Sequence, residues 1–521
     1  MNYPSIFNDV LGPVMRGPSS SHCAASVRIG KSIYQMMKGN IKKVTFLFDT
    51  MGSLATTHES QGSDMGLCAG LLNCEPDDET LLSYKEAIDK ANINVQYFTD
   101  CLNDAHPNTY RIEVSNEIEK HSMIAISTGG GMFEITKIDD VSISYIGDRY
   151  FCLIKSSIEN LENIPEIFNN PNLVKHSNNY CIINSFDSID NTLLVKLTEN
   201  NIWFSYFEPV IPIRKPENLN IPFITVKEMI DYNKDKHLSL PELAVKYESI
   251  RGGISENEVI DKMKHYVSIW KKSIDDGLKG TNYKDRILGS QSPQLISNMN
   301  TETLLKAPLT NTIIAYVTAL MEVKSSMGVI IAAPTAGSCG AVPGAIIGTA
   351  EALNYSNDKI VDAFLAAGLI GIFISAHATF AAEVGGCQAE CGAGSGMAAA
   401  ALTTFISNDF KQGLCAASLA LQNILGMVCD PVANRVEVPC LGKNVMAATN
   451  ALSCANMALA NYDCIVPLDQ VISTMYTVGK SLPHELRCTA LGGLSICNAS
   501  KKIETDLKNN CYNQNSNCHC Q

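Results

Sequence analysis

The sequence predicts a multidomain protein with an α+β N-terminal domain, a small α/β middle segment and an all-α C-terminal domain. Its 521 residues exceed what one hydrophobic core usually holds. Short strand-like and helix-like patterns alternate in the first part of the chain, whereas helical spacing of apolar residues dominates after Ile221. We therefore expect domains at residues 1–149, 150–220 and 221–521.

The first predicted domain contains strand-like segments around short helices. IKKVTFLFDT (Ile41–Thr50) alternates and then becomes continuously apolar, which is typical of a strand, whereas SDMGLCAGLLN is helix-like. Further strands are predicted in YRIEVSN, MIAISTGGGMFEIT and VSISYIG. The cluster Ser19, Ser20 and Ser21 is an N-cap signal for a helix whose N-terminus suits a carboxylate. Ordinary capping is the simpler interpretation of this cluster.

In the middle segment, the sequence pattern predicts short strands in YFCLIKS, YCIINSF and TLLVKLT, around one helix-like stretch, NLENIPEIF. Lys215 and the Asn-rich PENLNIP (Pro216–Pro222) predict a linker. Amphipathic helices follow, and after Gly328 the predicted helices are apolar on all sides, which indicates close packing. The polar tail from Asn498 predicts a loose end.

One apolar segment is nearly long enough to cross a membrane. Val361–Ala382 is mostly apolar, but it contains Asp362, Ser375 and His377. Polar side chains of this kind are costly in lipid, so we expect a buried central helix and no membrane association.

Composition narrows the function classes. With 40 Lys and Arg against 53 Asp and Glu, the net charge of −13 offers no basic footprint for nucleic acid or for a membrane surface. The N-terminal residues lack the layout of a signal peptide, so we expect a cytoplasmic protein. Nineteen cysteines in the cytosol are expected to be reduced thiols or metal ligands.

The stretch from Gly385 to Cys440 contains the main candidates for chemistry. Cys387, Cys429 and Cys440 each lie beside Gly or Pro, which allow close approach of the backbone to a ligand. Three thiols converging on one metal centre would leave a coordination position open for substrate. The alternative is that they are small core residues.

A second candidate feature is the stretch Pro334–Ser338, which lies just before an apolar segment. Its small residues and hydroxyl groups would suit an anion bound at a helix N-terminus. A glycine-rich helix junction explains the composition equally well. The candidates for substrate binding are Thr335, Ala336, Gly337 and Ser338. We expect the nearby Cys339 and Cys391 either to pack in the core or to lie next to the site without binding the metal.

Four long motifs resemble the signatures of one enzyme family. APTAGSCGAVPG (Ala333–Gly344), AEVGGCQAECG and CDPVANRVEVPC resemble the α-subunit signatures of the iron–sulfur L-serine dehydratases. RGPSSSHCAASVRIGK (Arg16–Lys31) resembles the β-subunit signature, so the chain is similar to a β part fused to an α part. The resemblance implies an L-serine ammonia-lyase that forms pyruvate and ammonia without pyridoxal phosphate, in serine degradation and gluconeogenesis.

The same resemblance implies a [4Fe–4S] cluster. By motif position its three thiolate ligands are Cys387, Cys429 and Cys440, and its fourth iron is open to act as a Lewis acid on the substrate hydroxyl. Some members of the family use a C-terminal cysteine to ligate the open iron. The candidates for that role here are Cys497, Cys511, Cys518 and Cys520. A small regulatory ACT-like domain is the corresponding expectation for the middle segment.

The general base is not fixed by the sequence, because imidazole titrates near neutral pH and several histidines are available. The candidates are His22, His58, His106 and His377. His22 ranks first because it lies inside the β motif, which would place the site between the β and α domains. The family usually has a histidine where this sequence has Gln61, and whether the nearby His58 replaces it stays open.

Two other functions stay open. A related iron–sulfur lyase could act on L-threonine or L-cysteine, although the cysteine desulfidases resemble the α half only. From a different class, a metal-binding or amino-acid-sensing module could hold zinc through Cys511, Cys518, His519 and Cys520. We expect a small amino-acid substrate and a homodimer.

Overall fold

The fold is given by a computed structural model, which describes residues 3–214, 220–283, 286–299, 301 and 303–515. A sheet-rich N-terminal region is followed by a second, smaller sheet and then by a helical C-terminal region. This mixed architecture confirms the predicted sheet-rich first part and helical last part. Most of the predicted linker, residues 215–219, lies outside the described residues.

The N-terminal region is built on a six-stranded sheet. Its elements are the strands β1 Val14–Met15, β2 Lys43–Asp49, β3 Asn94–Asp100, β4 Thr109–Ser115, β5 Lys120–Gly129, β6 Met132–Ile138 and β7 Val141–Tyr145, and the helices α1 Ala25–Met36, α2 Leu54–Thr57, α3 Ser63–Leu71 and α4 Tyr84–Lys90. The sheet order is β3-β2-β4-β5-β6-β7, with only β2 and β3 parallel. Alternate residues Val44, Phe46 and Phe48 of β2 are buried with Ile29 of α1 and Leu67 of α3.

The glycine-rich segment MIAISTGGGMFEIT, one of the predicted strand segments, forms a hairpin of β5 and β6. Gly129, Gly130 and Gly131 at the turn have φ values of 100°, 60° and 86°, a left-handed conformation that glycine adopts without strain. The turn lies against the helical region, because a Cβ atom at Gly129 would be 3.3 Å from that of Ala381. The hairpin therefore reaches the boundary between the two large regions.

The serine cluster lies at the start of a helix, as predicted, but Ser19 does not cap that helix with its side chain. Residues Ser20–Ala24 form a π-helical turn ahead of α1, and Ser19 occupies the N-cap position without a side-chain capping hydrogen bond. Its Oγ atom lies 3.1 Å from Nδ1 of His22 instead.

The middle segment is a separate four-stranded antiparallel sheet with its own core. Its elements are β8 Tyr150–Ile154, α5 Ile158–Leu161, α6 Pro165–Phe168, β9 Leu173–Ser177, β10 Tyr180–Ser185, α7 Asn191–Glu199 and β11 Phe204–Phe207. The order β11-β8-β10-β9 and the β-α-β-β-α-β sequence of elements correspond to a ferredoxin-like split βαβ arrangement.

Within this segment, the strand predicted in TLLVKLT is wrong. These residues belong to α7, whose start is capped by the Asp190 carboxylate accepting a hydrogen bond from the Thr192 N–H. Leu193 and Leu197, four residues apart, are the buried residues of this helix. The cap and this i, i+4 spacing are the signals that the strand prediction overlooked.

The C-terminal region is a bundle of helices with a large continuous core. Its elements are α8 Val226–Asn233, α9 Leu240–Gly252, α10 Glu256–Lys279, α11 Ser292–Met299, α12 Pro308–Ser325, β12 Ile330–Ile331, α13 Ala341–Leu353, α14 Asn357–His377, α15 Ala382–Gly385, α16 Cys391–Thr403, α17 Phe410–Gln422, α18 Cys440–Leu459, α19 Leu468–Ser481 and α20 Asn498–Asn515. The polar tail that was expected to be loose begins as α20, and residues 516–521 lie outside the described part.

The long apolar helix α14 lies inside this bundle. It has 21 residues and a mean hydropathy of 1.9, which would suit a membrane span, but 78% of its apolar window is buried within the protein. It packs against α16, α9 and α10, so it is the buried central helix that the sequence predicts. It ends at His377, earlier than the predicted Ala382.

The N-terminal residues pack with the helical bundle. Ile6–Val10 forms a π-helical turn against α14, and β1 pairs antiparallel with β12. The contact with α14 is very close: a Cβ atom at Gly371 would lie 2.0 Å from Cγ1 of Val10. The bundle and the start of the chain therefore share one core.

We predict that Gly371→Ala destabilises the protein, whereas Gly442→Ala does not. Alanine normally favours a helix over glycine, but the added methyl group at Gly371 would overlap Val10, and such overpacking costs about 1–3 kcal/mol. Gly442 in α18 has open space around its Cα atom. Thermal unfolding compares the two variants; equal melting temperatures would contradict the tight contact.

Candidate functional site

Loops of the N-terminal sheet region meet loops of the helical region in a buried contact. The Ala336 N–H donates to Ser20 Oγ at 3.3 Å, which joins two of the sequence motifs. Asn434 Nδ2 donates to the Thr56 carbonyl at 2.8 Å, and Gln61 Nε2 donates to Asn434 Oδ1 at 3.0 Å. The residues that resemble the β and α signatures thus lie together, as the sequence predicts.

The predicted anion pocket is already hydrogen-bonded by the protein. Thr335 precedes a short 3₁₀ turn, Ala336–Ser338, and its hydroxyl lies 3.2 Å from that of Ser338. At the start of α13, the N–H groups of Gly340 and Ala341 donate to Oδ1 of Asn444. These two amides are therefore satisfied by a side chain, which the sequence did not reveal.

Asn444 connects three of the motifs. It is fully buried, and its Nδ2 group donates to the Gly337 carbonyl at 2.9 Å and to the Cys440 carbonyl at 2.8 Å. The same group lies 3.4 Å from Cys391 Sγ. One amide side chain thus fixes the loop before α13 to the helix that begins with Cys440.

Five buried cysteine side chains lie around this point. The three predicted ligands are joined by two residues that were not predicted as ligands, and the group, here called the thiol cluster, consists of Cys387, Cys391, Cys429, Cys440 and Cys488. Within the described ranges, no three His, Cys, Asp or Glu side chains are arranged to hold a single metal ion. Cys391 interacts most strongly with Cys387, and Cys429 with Cys488.

Backbone contacts fix Cys488 in this group. The Cys429 N–H donates to the Leu486 carbonyl at 2.9 Å, and the Cys488 N–H donates to the Cys429 carbonyl at 3.1 Å. Cys488 has a φ of 59°, which is unusual for a residue other than glycine. Its distance in sequence from the other cysteines, and the absence of a recognisable motif around it, explain why the sequence did not single it out.

The thiol cluster disfavours bare thiolates. The hydrogen bond to Cys387, and then burial, raise the pKa of Cys391, while the hydrogen bond to Cys488, and then burial, raise the pKa of Cys429. Burial also raises the pKa of Cys440, with a further contribution from Cys387. A positively charged group bound among these thiols would favour their deprotonation.

Two lysines bring positive charge to the thiol cluster. Lys443 Nζ donates to Asp430 Oδ1 at 2.8 Å and to the Val428 carbonyl at 2.6 Å. Burial alone would lower the pKa of Lys443, but Cys387 and Asp430 raise it above its usual value. Lys324 is fully buried and donates to a backbone carbonyl. Its interaction with Cys440 partly offsets the rise in the pKa of that thiol.

A buried carboxyl group adjoins the predicted anion pocket. Oε1 of Glu390 accepts a hydrogen bond from Thr335 Oγ1 at 2.6 Å. A Cβ atom at Gly337 would lie 2.9 Å from the same oxygen, so glycine leaves room for the carboxyl group there. Burial raises the pKa of Glu390 to about 7, although Thr335 partly opposes this shift. The sequence patterns did not predict a role for this residue.

Of the histidine candidates, His22 lies deepest at the boundary. It is fully buried, its Nε2 atom is 2.7 Å from Thr57 Oγ1, and burial lowers its pKa to about 3. His58 is turned towards Asp64, with 2.7 Å between Nδ1 and Oδ1. Gln61 faces Asn434.

The other two histidines have structural partners. Nδ1 of His106 accepts the Asn108 N–H at 3.2 Å, which orders the loop before β4. His377 contacts the Ile224 carbonyl at the end of α14.

The remaining predicted residues lie around this boundary or in the tail. Ser21 is buried in the π-helical turn before α1. Cys339 is buried against Met321. Cys497 is half-buried after a 3₁₀ turn, Cys511 belongs to α20, and Cys518 and Cys520 lie outside the described residues.

Comparisons with known proteins agree with this two-part site. Residues 229–495 match the family model for the serine dehydratase alpha chain, and residues 9–97 match that for the serine dehydratase beta chain. The probable L-serine dehydratase alpha chain of Bacillus subtilis is 35% identical over 285 residues, covering 55% of this chain and 95% of the relative. L-serine dehydratase of Helicobacter pylori (27% over 498 residues) and L-serine dehydratase 1 of Escherichia coli (26% over 494 residues) each cover 92% of this chain and 96% of the relative.

The fold and site define a protein in which a β part and an α part, joined in one chain, contribute to a common buried site. The two family models match these parts in that order. The chain belongs to the serine dehydratase family.

We predict that Asn434→Asp loosens the boundary between the two parts. Aspartate cannot donate to the Thr56 carbonyl or to Ser60 Oγ, and an unsatisfied buried group costs about 1–3 kcal/mol. Hydrogen exchange of residues 53–64 should become faster. Asn450→Asp is the matched control, because Asn450 donates to Ser395 and Ala420 inside the helical bundle. Equal exchange in both variants would argue against the role of Asn434.

Proposed function

We propose that the chain is an L-serine dehydratase that converts L-serine to pyruvate and ammonia with a [4Fe–4S] cluster. The observation that carries this proposal is the buried thiol cluster at the boundary between the parts matched by the alpha-chain and beta-chain models. Curated relatives that cover most of the chain are named L-serine dehydratase, which supports the same substrate.

The arrangement of the thiols suits a cluster better than a single ion. A [4Fe–4S] cluster takes one thiolate on each iron, so its ligands surround a group of atoms and do not converge on one point. Cys387 interacts electrostatically with both Cys429 and Cys440, which lie in two other segments, and this supports such an arrangement. We propose these three as the ligands, and Lys443 as a cation that offsets part of the thiolate charge.

The bound cluster would supply an open iron that acts as a Lewis acid on the substrate hydroxyl. The chain's own residues would do the rest. Ser20 Oγ accepts the Ala336 N–H and keeps its own proton, which it would donate to the substrate carboxylate at the boundary; Thr335 would donate to that carboxylate only in place of its hydrogen bond to Glu390. His22 would take the α-proton. Loss of this proton and of the hydroxyl group gives 2-aminoacrylate and water, and 2-aminoacrylate then yields pyruvate and ammonia.

We also propose that the middle segment is an ACT-like regulatory module. Its β-α-β-β-α-β order and its separate core support this assignment, since such a unit can bind an effector without rearranging the bundle. Equilibrium dialysis with single amino acids, with and without residues 150–207, tests whether it binds one.

The reaction is tested on anaerobically purified protein. Release of pyruvate from L-serine, compared with 2-oxobutyrate from L-threonine and pyruvate from L-cysteine, decides the substrate. A brown protein that contains iron and sulfide and acts fastest on serine is the expected result. A colourless protein without activity on any of the three amino acids would favour a zinc-binding or sensing module.

We predict that Cys387→Ser, Cys429→Ser and Cys440→Ser each abolish pyruvate formation and strongly reduce bound iron and sulfide, because serine replaces a thiolate ligand poorly. Cys415→Ala is the control, since Cys415 is half-buried and lies beside the Tyr462 carbonyl. Full iron content in any of the three serine variants would remove that cysteine from the ligand set.

We further propose that the thiol of Cys488 shields the open iron in the absence of substrate. Cys488 is already held beside Cys429, so we expect Cys488→Ala to accelerate the loss of one iron in air. The electron paramagnetic resonance signal of a three-iron cluster measures this rate. Truncation after Asn510 and Cys497→Ala are expected to leave it unchanged. Faster loss in either tail variant, with Cys488→Ala unaffected, would assign the role to the tail.

A further inference from the structure

Glu383 is a buried carboxyl group beside His22 that the proposed reaction has not yet used. It lies in α15, in the helical region, and its Oε1 atom is 3.9 Å from Nδ1 of His22 in the N-terminal region. Its Oε2 atom is buried and has no hydrogen-bond partner among the described residues. A fully buried carboxyl oxygen without a partner is costly unless another group uses it.

The hydrogen bonds of His22 determine which of its nitrogens can accept a proton. Thr57 Oγ1 donates to the Ser53 carbonyl at 2.6 Å, and a hydroxyl group has only one proton to donate. The same oxygen lies 2.7 Å from Nε2 of His22, so it must accept a proton from that nitrogen. Neutral His22 therefore carries its proton on Nε2, and Nδ1 presents a lone pair.

Two groups lie near that lone pair. Ser19 Oγ is 3.1 Å from Nδ1 and can donate to it, and Oε1 of Glu383, at 3.9 Å, lies just beyond hydrogen-bond distance. A proton on Nδ1 would make His22 an imidazolium ion in a fully buried position. Only a neighbouring negative charge makes such an ion stable there.

We infer that Glu383 of the helical region is the positioning residue that stabilises protonated His22, so that the two residues act as one proton-accepting pair across the boundary between the two regions. This inference rests on the proposed function. In the reaction the α C–H bond breaks and its proton bonds to Nδ1. The electron pair forms the C=C bond as the C–O bond breaks, and the proton then joins the released hydroxide to give water.

The surroundings of Glu383 come from several elements of the N-terminal region. Asn108, from the loop before β4, interacts with the carboxyl group and lowers its pKa, but burial raises that pKa more. Tyr110 in β4 and Glu390 are the other titratable groups that interact with Glu383, and His58 interacts with His22. The turn at Gly129 packs against Ala381, next to the helix that bears Glu383.

The test is Glu383→Gln in the cluster-loaded enzyme, which keeps the shape and removes the charge. We expect kcat for serine to fall on the order of 100-fold with little change in KM, because general-base catalysis contributes roughly this much. Cleavage of the C–H bond should become slower, so the isotope effect on kcat with α-deuterated serine should increase. Iron and sulfide content should equal that of the unchanged enzyme.

The pH profile gives a second readout. Only the carboxylate form of Glu383 can stabilise the imidazolium ion, so activity should rise as pH increases through the raised pKa of Glu383. This acid limb should disappear in Glu383→Gln and return, with part of kcat, in Glu383→Asp. Any limb that belongs to Glu390 should persist in both variants.

Glu322→Gln is the matched control, since Glu322 is a buried carboxylate that accepts a hydrogen bond from Ser292 Oγ at 2.6 Å inside the bundle. It should keep the acid limb and the isotope effect. An unchanged kcat and isotope effect in Glu383→Gln would overturn the inference. If that variant does not fold, an unchanged acid limb in Glu383→Asp would overturn it. Absence of serine dehydration in the unchanged enzyme would instead refute the proposed function.

Discussion

The site depends on polar contacts between two regions whose apolar cores are largely separate. Ser20, Gln61 and Asn434 are all buried where these regions meet, and each needs a partner from the opposite side. Separation of the regions would leave several of these groups exposed and would open the thiol cluster to solvent. The site therefore stays intact only while the two parts remain in contact, because a buried polar group without a hydrogen-bond partner is costly.

The same boundary concentrates groups whose ionisation is unfavourable. The thiols Cys391, Cys429 and Cys440 and the carboxyl groups of Glu383 and Glu390 all have raised pKa values. The hydrogen bond to a neighbouring thiol is the main cause for Cys391 and Cys429, and burial is the main cause for the other three groups. The described part of the chain places two cations, Lys324 and Lys443, near enough to oppose this effect. Such an environment favours a bound cationic group and a substrate that brings its own ammonium group.

Much of the architecture could be predicted from local patterns, and much of the site could not. Strand β2 and the buried helix α14 follow from apolar spacing within single segments. Asn444, Cys488 and Glu383 gain their positions from contacts between distant segments. Glu383 lies within a recognised motif, but the motif does not show that its carboxyl group lies near His22. The serine cluster shows the same limit: its residues fit a cap by type, but Ser19 contacts His22 three residues later and Ser20 accepts the N–H of the distant Ala336.

The contact of residues 6–15 with the helical bundle has a consequence for biosynthesis. These residues are synthesised about 300 residues before their partners in β12 and α14. Ile6, Phe7 and Val10, which are buried in the folded protein, therefore lack these partners while the sheet-rich region is being made. A chaperone that binds short apolar segments would have a target there.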